Sequence, residues 1–158
     1  MTILPLDQLE NYANVIIPRI ERELVNPNKK PHELVALYTL YIDVMKMVAH
    51  DDFVTFNKFL EIDEDHTSPN KAFYHHRKNH IGEIFDALND MEIYDKYDVM
   101  LVIMPPRVGK TTTGIRFLSW ICGRYPEDTE LATSYSDSIT SSFYAGVMEV
   151  IQTDRYKQ

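Results

Sequence analysis

The amino-acid sequence predicts an α/β fold, with a mainly helical N-terminal portion (residues 1–96) and a β-loop-α-β-α portion (residues 97–158). Apolar residues recur at three- and four-residue spacing through most of the first portion, which is typical of amphipathic helices. Near residue 98 this period gives way to a short continuous apolar run, as in a strand buried on both faces of a parallel sheet. A Gly-Lys-Thr triplet follows that run, and a new helical pattern begins there.

Four helices are predicted in the first portion, separated by segments rich in turn-forming residues. Pro18 lies inside the first helix and should kink or split it, because proline removes a backbone donor and crowds the preceding turn. Turn chemistry is found at Asn26–Pro31 and in the acidic segment Glu61–Asn70. The predicted helices cover residues 6–25, 32–49, 51–61 and 71–90.

The second portion is predicted to alternate strands and helices. Asp98–Met104 is a short apolar run with the length of a strand, and Glu130–Ser136 is a second such segment. Thr111–Tyr125 returns to helical spacing and is followed by Pro126. Ser136 is placed to cap a last helix, since its hydroxyl can accept from a free backbone N–H of the first turn.

The composition describes an ordinary acidic globular chain. At 158 residues it is long enough for one domain, or one domain and a piece of another. No apolar run approaches the roughly 20 residues of a membrane span, and no secretory signal pattern opens the chain. The single cysteine, Cys122, excludes an internal disulfide and fits a reducing compartment.

The net charge of −8 is concentrated in the first portion. Residues 1–96 hold 10 Lys and Arg against 17 Asp and Glu, whereas residues 97–158 hold 6 against 7. An acidic surface repels the phosphate backbone of nucleic acids, so composition alone does not suggest DNA binding.

The Gly-Lys-Thr triplet is the second half of a phosphate-binding loop, whose general form is Gly, four residues, then Gly-Lys-Ser/Thr. Lys110 would reach the β and γ phosphates, and the Thr111 hydroxyl would ligate Mg²⁺. Gly109 lets the backbone approach the ligand closely. Met104 stands where the opening glycine is expected, and the alternative interpretation is a strand, a turn and a helix without a ligand.

The stretch "MPPRVGKT" (Met104–Thr111) resembles the phosphate loop of large terminase subunits, the motors that package DNA into tailed-phage heads. In that family the opening glycine is often absent, and Pro-Pro-Arg commonly precedes Gly-Lys. The segment Phe117–Tyr156 is similar to the family's next block, and Phe73–Leu88 resembles, more weakly, the segment before the loop. The resemblance implies the beginning of a P-loop NTPase sheet of the ASCE type in residues 97–158. Residues 1–70 carry no resemblance.

The resemblance also implies the ligands and the residues that hold them. The expected cofactors are ATP and Mg²⁺, with Thr111 as the metal-ligating residue and Arg107 as a catalytic residue that senses or stabilises the γ-phosphate. An ordinary salt bridge on the loop is the alternative role for Arg107. Candidates for adenine contacts are Tyr74, His76 and Arg77, with a plain surface helix as the alternative. The expected nucleotide-binding residues are Pro106, Arg107, Val108, Gly109, Lys110, Thr111 and Thr112.

A hydrolysing motor of this family also needs an apolar strand ending in Asp-Glu and, for DNA cleavage, a nuclease carboxylate cluster. None of the acidic residues after the loop ends an apolar strand. We therefore expect the chain to be the N-terminal piece of a terminase large subunit, able to bind ATP but not to turn it over by itself.

The resemblance implies the partners and the location as well. Double-stranded DNA, a portal protein, a small terminase subunit and further copies on the portal are the expected partners. No membrane is expected, and the place of action would be the host cytoplasm. Two alternatives stay open, a fragment of a helicase-like P-loop motor and a catalytically inactive interaction module.

Overall fold

The computed structural model describes residues 4–68 and 71–158, and within these ranges the chain is helical and contains no β-strand. The predicted α/β fold, with the start of a P-loop NTPase sheet of the ASCE type, is therefore wrong for the described residues. A five-residue π-helical segment joins the first two helices. The helices are α1 (Leu6–Asn11), α2 (Ile17–Leu24), α3 (Pro31–Ala49), α4 (Phe53–Leu60), α5 (Phe73–Ile93), α6 (Lys110–Arg124) and α7 (Asp137–Gln152).

Both segments that were predicted as strands lack regular secondary structure. In the first, Val99, Leu101 and Ile103 are 83%, 82% and 85% exposed, instead of being buried on both faces of a sheet. In the second, Leu131 is 86% exposed. A strand forms only when a neighbour completes its hydrogen-bond ladder, and no described residue offers these segments that ladder.

The first predicted helix is continuous in its course but irregular at its centre. Pro18 is the second residue of α2, directly after the π-helical segment Tyr12–Ile16. Proline has no N–H to donate four residues back, so the regular α-helical pattern cannot run through this point. The irregularity near Pro18 is this π-helical segment, whose turns are wider than those of an α-helix.

The core lies where α3, α4, α5 and α6 meet. Phe53 is its centre: its ring stacks on Phe85 at a centroid distance of 4.8 Å and meets Phe117 edge-on at 5.2 Å. Trp120 lies 5.3 Å from Phe53, and its indole Nε1–H donates to the Ala49 carbonyl over 2.9 Å. The core therefore draws on both portions of the chain, and α6 is docked on the helical front, which is the group of helices α1 to α5. The division of the chain at residue 96 stays a prediction.

Helix α7 packs against α6 and begins as the sequence predicts. Ser136 is its N-cap, and the Ser136 Oγ accepts from the Ile139 N–H at 3.4 Å. The acidic loop after α4 forms a series of turns up to residue 68. The end of the predicted loop Glu61–Asn70, at residues 69–70, lies outside the described residues.

Candidate phosphate-binding site

The predicted phosphate loop leads directly into the first turn of α6. Lys110 is the first residue of that helix, and Gly109 is its N-cap. The N–H groups of a first helical turn have no partner within the helix, and the helix dipole places partial positive charge there. This local structure favours an anion at the start of α6.

The backbone of the loop is turned twice into the left-handed region. Gly109 has φ of 109°, and Arg107, two residues earlier, has φ of 66°. Left-handed backbone is open to glycine but costs a residue with a side chain about 1–2 kcal/mol. Arg107 therefore carries strain within the candidate site itself.

Gly109 also lies against an aromatic ring from another helix. A Cβ at this position would be 2.7 Å from both Cε2 and Cζ of Phe73, in the first turn of α5. Contacts that short force a neighbouring group to move, so both the backbone angle and the packing require glycine at 109. The N-terminus of α5 thus forms one wall of the site.

An open cleft of about 590 Å³ lies between the loop, the first turn of α5, and helices α6 and α7. Four cationic side chains line it, against a single carboxylate, that of Glu149. In a protein whose net charge is −8, this concentration of positive charge is local, and it suits a polyanionic ligand. The cations are Arg77, Arg107, Lys110 and Arg116.

The Lys110 side chain folds back over the loop. Its Nζ donates to the Met104 carbonyl at 2.6 Å. This hydrogen bond connects the end of the apolar segment to the start of α6. An ammonium group carries three donors, so a phosphate oxygen can be bound from the same position. Thr111 is exposed at the start of α6 and lines a second groove of about 320 Å³, together with residues 132–134.

The structure brings five of the seven predicted loop residues to the cleft and leaves two beside it. Pro106 is exposed and Val108 is half-buried, and neither lines the cleft. Arg107 is exposed, and within the described ranges no acidic side chain pairs with it. The predicted loop residues that line the cleft are Arg107, Gly109, Lys110, Thr111 and Thr112.

The three candidates for adenine contacts fall in different environments. The Arg77 guanidinium lines the cleft and lies 4.8 Å from the centre of the Phe73 ring. Tyr74 points into the core, where its ring is 5.0 Å from Phe85. His76 is exposed and does not line the cleft. Of these three side chains, the structure brings only Arg77 to the candidate site.

Sequence reasoning missed Arg116, Phe73 and the carboxylate of Glu61, which pairs with Arg116. Arg116 Nη1 donates to Glu61 Oε1 at 2.5 Å, and both side chains are largely buried, at 12% and 3% exposure. Burial lowers the pKa of the Arg116 guanidinium, and the Glu61 charge opposes that shift. No local signal could reveal this pair, because its members are 55 positions apart.

For a metal ion, the side-chain oxygen that the family resemblance assigns is the Thr111 hydroxyl. No group of three or more His, Cys, Asp or Glu side chains suited to a metal is found in the described part of the chain. Mg²⁺ in nucleotide sites keeps several waters and takes most other ligands from the phosphates, so a single hydroxyl is compatible with it. The residues present fit Mg²⁺ only as a companion of a bound polyphosphate.

The chain matches no protein-family model, no curated protein and no solved structure. Within residues 4–68 and 71–158, no helix combines the length and apolar character needed to cross a lipid bilayer.

Proposed function

We propose that the cleft at the start of α6 binds the phosphates of Mg-ATP. We further propose that the chain is the ATP-binding part of a viral DNA-packaging terminase large subunit. The observation that carries the proposal is the position of Lys110 and Arg107 in a cationic cleft, at the N-terminus of a helix capped by a left-handed glycine. The helix dipole, the N–H groups of the first turn and the cationic side chains would all stabilise an anion at this one place.

The roles of the loop residues follow from their chemistry. Lys110 neutralises the outer phosphates, and the Thr111 hydroxyl contributes one ligand to the accompanying Mg²⁺. The Arg107 guanidinium, exposed and lining the cleft, neutralises charge that develops on the transferred phosphoryl group.

The larger function rests on the resemblance of Met104–Thr111 and Phe117–Tyr156 to terminase large subunits. In the whole motor, ATP hydrolysis would drive double-stranded DNA into procapsids in the host cytoplasm. The portal protein, the small terminase subunit and further copies of this chain on the portal would be its partners. Residues 1–96 carry a net negative charge, which repels the phosphates of DNA. Contacts to DNA would therefore be made by other parts of the motor.

A second candidate function is an interaction module that binds no nucleotide. It is favoured by the segment before the loop, where Val99, Leu101 and Ile103 expose their apolar side chains instead of forming a strand. Exposed apolar groups in a row are typical of surfaces that contact another protein. Nucleotide binding separates the two candidates.

The decisive experiment is thermal unfolding with and without Mg-ATP, for the wild-type chain and for Lys110→Ala. A ligand at one hundred times its dissociation constant stabilises the folded state by about 2.7 kcal/mol. We expect a clear rise in Tm for the wild type and none for Lys110→Ala, because the variant lacks the ammonium group that holds the outer phosphates.

Lys157→Ala is the matched control, since Lys157 is an exposed lysine near the C-terminus and does not line the cleft. It should keep the full ATP-dependent shift. A wild-type chain that shows no shift at millimolar Mg-ATP would favour the interaction module. An undiminished shift in Lys110→Ala would show that the nucleotide binds elsewhere.

A further inference from the structure

Glu61 is a buried carboxylate that satisfies donors from two different helices. It directly follows α4, and its side chain is only 3% exposed. Its Oε1 accepts from the Tyr74 N–H at 2.7 Å and from Arg116 Nη1 at 2.5 Å, and its Oε2 accepts from the His75 N–H at 3.0 Å. One side chain thus caps the N-terminus of α5 and pairs with a cation of α6.

Both of these helices form walls of the anion cleft. The first turn of α5 carries Phe73, whose ring lies against Gly109 of the loop. Arg116 lines the cleft from α6, and its guanidinium lies 5.0 Å from the centre of the same Phe73 ring. The fully buried Asn57 adds a second acceptor for Arg116, at 3.1 Å from Nη1.

We propose that Glu61 is a positioning residue for this cleft: it fixes Phe73 against Gly109 and holds Arg116 at the wall, so that the loop keeps its anion-binding shape. The inference rests on the proposed phosphate-binding function and adds a residue that touches no phosphate. The affinity of the loop for phosphate then depends on the helical front, because Glu61 at the end of α4 pairs with Arg116 of α6.

A carboxylate is the group that this position requires. Three donors converge on it, two backbone N–H groups at a helix N-terminus and one guanidinium, and only a charged acceptor with two oxygens serves all three strongly. Glutamine offers one acceptor oxygen and an NH₂ group. It would leave one of the three donors without an acceptor and place its own NH₂ donor next to that donor. Loss of the charge should therefore loosen both walls.

The sign of the effect on affinity distinguishes positioning from simple electrostatics. Removing a negative charge beside a cationic cleft makes the cleft more positive and, by charge alone, strengthens anion binding. Positioning predicts the opposite result for Glu61→Gln, because the walls lose their geometry. A purely structural role, limited to overall stability, predicts unchanged affinity of the folded protein.

The first measurement is amide exchange of residues 113–116, the first hydrogen-bonded amides of α6, without any ligand, in the wild type and in Glu61→Gln. We expect severalfold faster exchange of these amides in the variant, while the amides of α3 exchange as in the wild type. Glu64→Gln is the matched control, an exposed glutamate three positions along the same loop, and it should change neither. Equal exchange of residues 113–116 in Glu61→Gln and wild type would overturn the proposal.

The second measurement is the affinity for Mg-ATP and for inorganic triphosphate, taken from titrations of the folded proteins. Glu61→Gln should bind both about tenfold more weakly, the lower end of the effect of positioning residues on a bound group. Unchanged or tighter binding by a folded Glu61→Gln would overturn the proposal. Should that variant fail to fold, Glu61→Asp keeps the charge but is one methylene shorter, and it should weaken binding in the same direction.

Failure of this inference is distinguishable from failure of the proposed function. A wild-type chain that binds neither Mg-ATP nor triphosphate contradicts phosphate binding, and the ligand-free exchange of residues 113–116 then decides alone whether Glu61 positions the start of α6. A wild-type chain that binds both, with a Glu61→Gln variant of equal affinity, leaves phosphate binding intact and removes the role of Glu61.

Discussion

Arg107 combines a left-handed backbone with a side chain that lines the cleft. Its φ of 66° is unfavourable for any residue with a Cβ, and the residue is exposed. Strain of this kind persists where the surrounding structure imposes it, often at binding sites. The guanidinium is thus held at the cleft at a cost to the stability of the chain.

Replacing Arg107 by glycine should separate stability from binding. Arg107→Gly relieves the left-handed strain and should raise the free energy of unfolding by about 1 kcal/mol, while it weakens Mg-ATP binding through loss of the guanidinium. Arg107→Ala is the control, because it loses the guanidinium but retains the strain. Chemical denaturation measures both variants, and a Gly variant less stable than the Ala variant would contradict the assignment of strain.

The contact between α5 and the start of α6 can be tested with two glycines in different environments. Gly109→Ala places a Cβ 2.7 Å from the Phe73 ring at a left-handed backbone, and should destabilise the fold by about 2–4 kcal/mol. Gly82→Ala, inside α5, meets no atom within 4 Å and should stabilise the chain by about 1 kcal/mol. Thermal and chemical unfolding of the pair should therefore shift in opposite directions. Equal shifts would argue against the packing of Phe73 on the loop.

The helices were predictable from sequence because each carries its own signal. The apolar spacing predicted α3 and α5 to within about three residues at each end, and Ser136 was confirmed as the cap of α7. Helical hydrogen bonds are local, so spacing and caps suffice to find them.

The strands were wrong because an apolar run states only that side chains prefer burial. Whether Val99–Ile103 becomes a strand depends on a neighbour that supplies the ladder, and the described residues do not supply it. For the same reason, the loop residues could be found by motif, whereas Glu61 and Phe73 could not. Their contribution depends on contacts between α5, α6 and the end of α4 that no spacing rule encodes.

Across the whole molecule, burial is uneven. The helical front and α6 share the core around Phe53, whereas the segment before the loop and the segment at Leu131–Tyr135 are largely exposed. Local stability follows buried contacts and protected hydrogen bonds. We expect amides in residues 32–60 and 73–90 to be protected from exchange much more strongly than those in residues 98–108 and 126–135.

Hydrogen exchange followed by mass spectrometry measures this difference directly. Comparable protection of residues 98–108 and α3 would mean that the apolar segment finds a partner in solution. Repeating the measurement at several protein concentrations would show whether that partner is a second copy of the chain, since unpaired apolar segments are templates for association.

Trp120 gives the docking of α6 on the helical front an optical signal. It is the single tryptophan of the chain, it is 2% exposed, and its indole donates to Ala49 while the Arg124 guanidinium lies 4.9 Å from its ring. All tryptophan emission therefore comes from the contact between these helices, because the chain has no second tryptophan. A red shift of that emission reports that water has entered between α6 and α3, even while both remain helical. Excitation at the red edge of the absorption band thus turns the chain, without labelling, into a spectroscopic reporter of whether α6 is packed on the helical front.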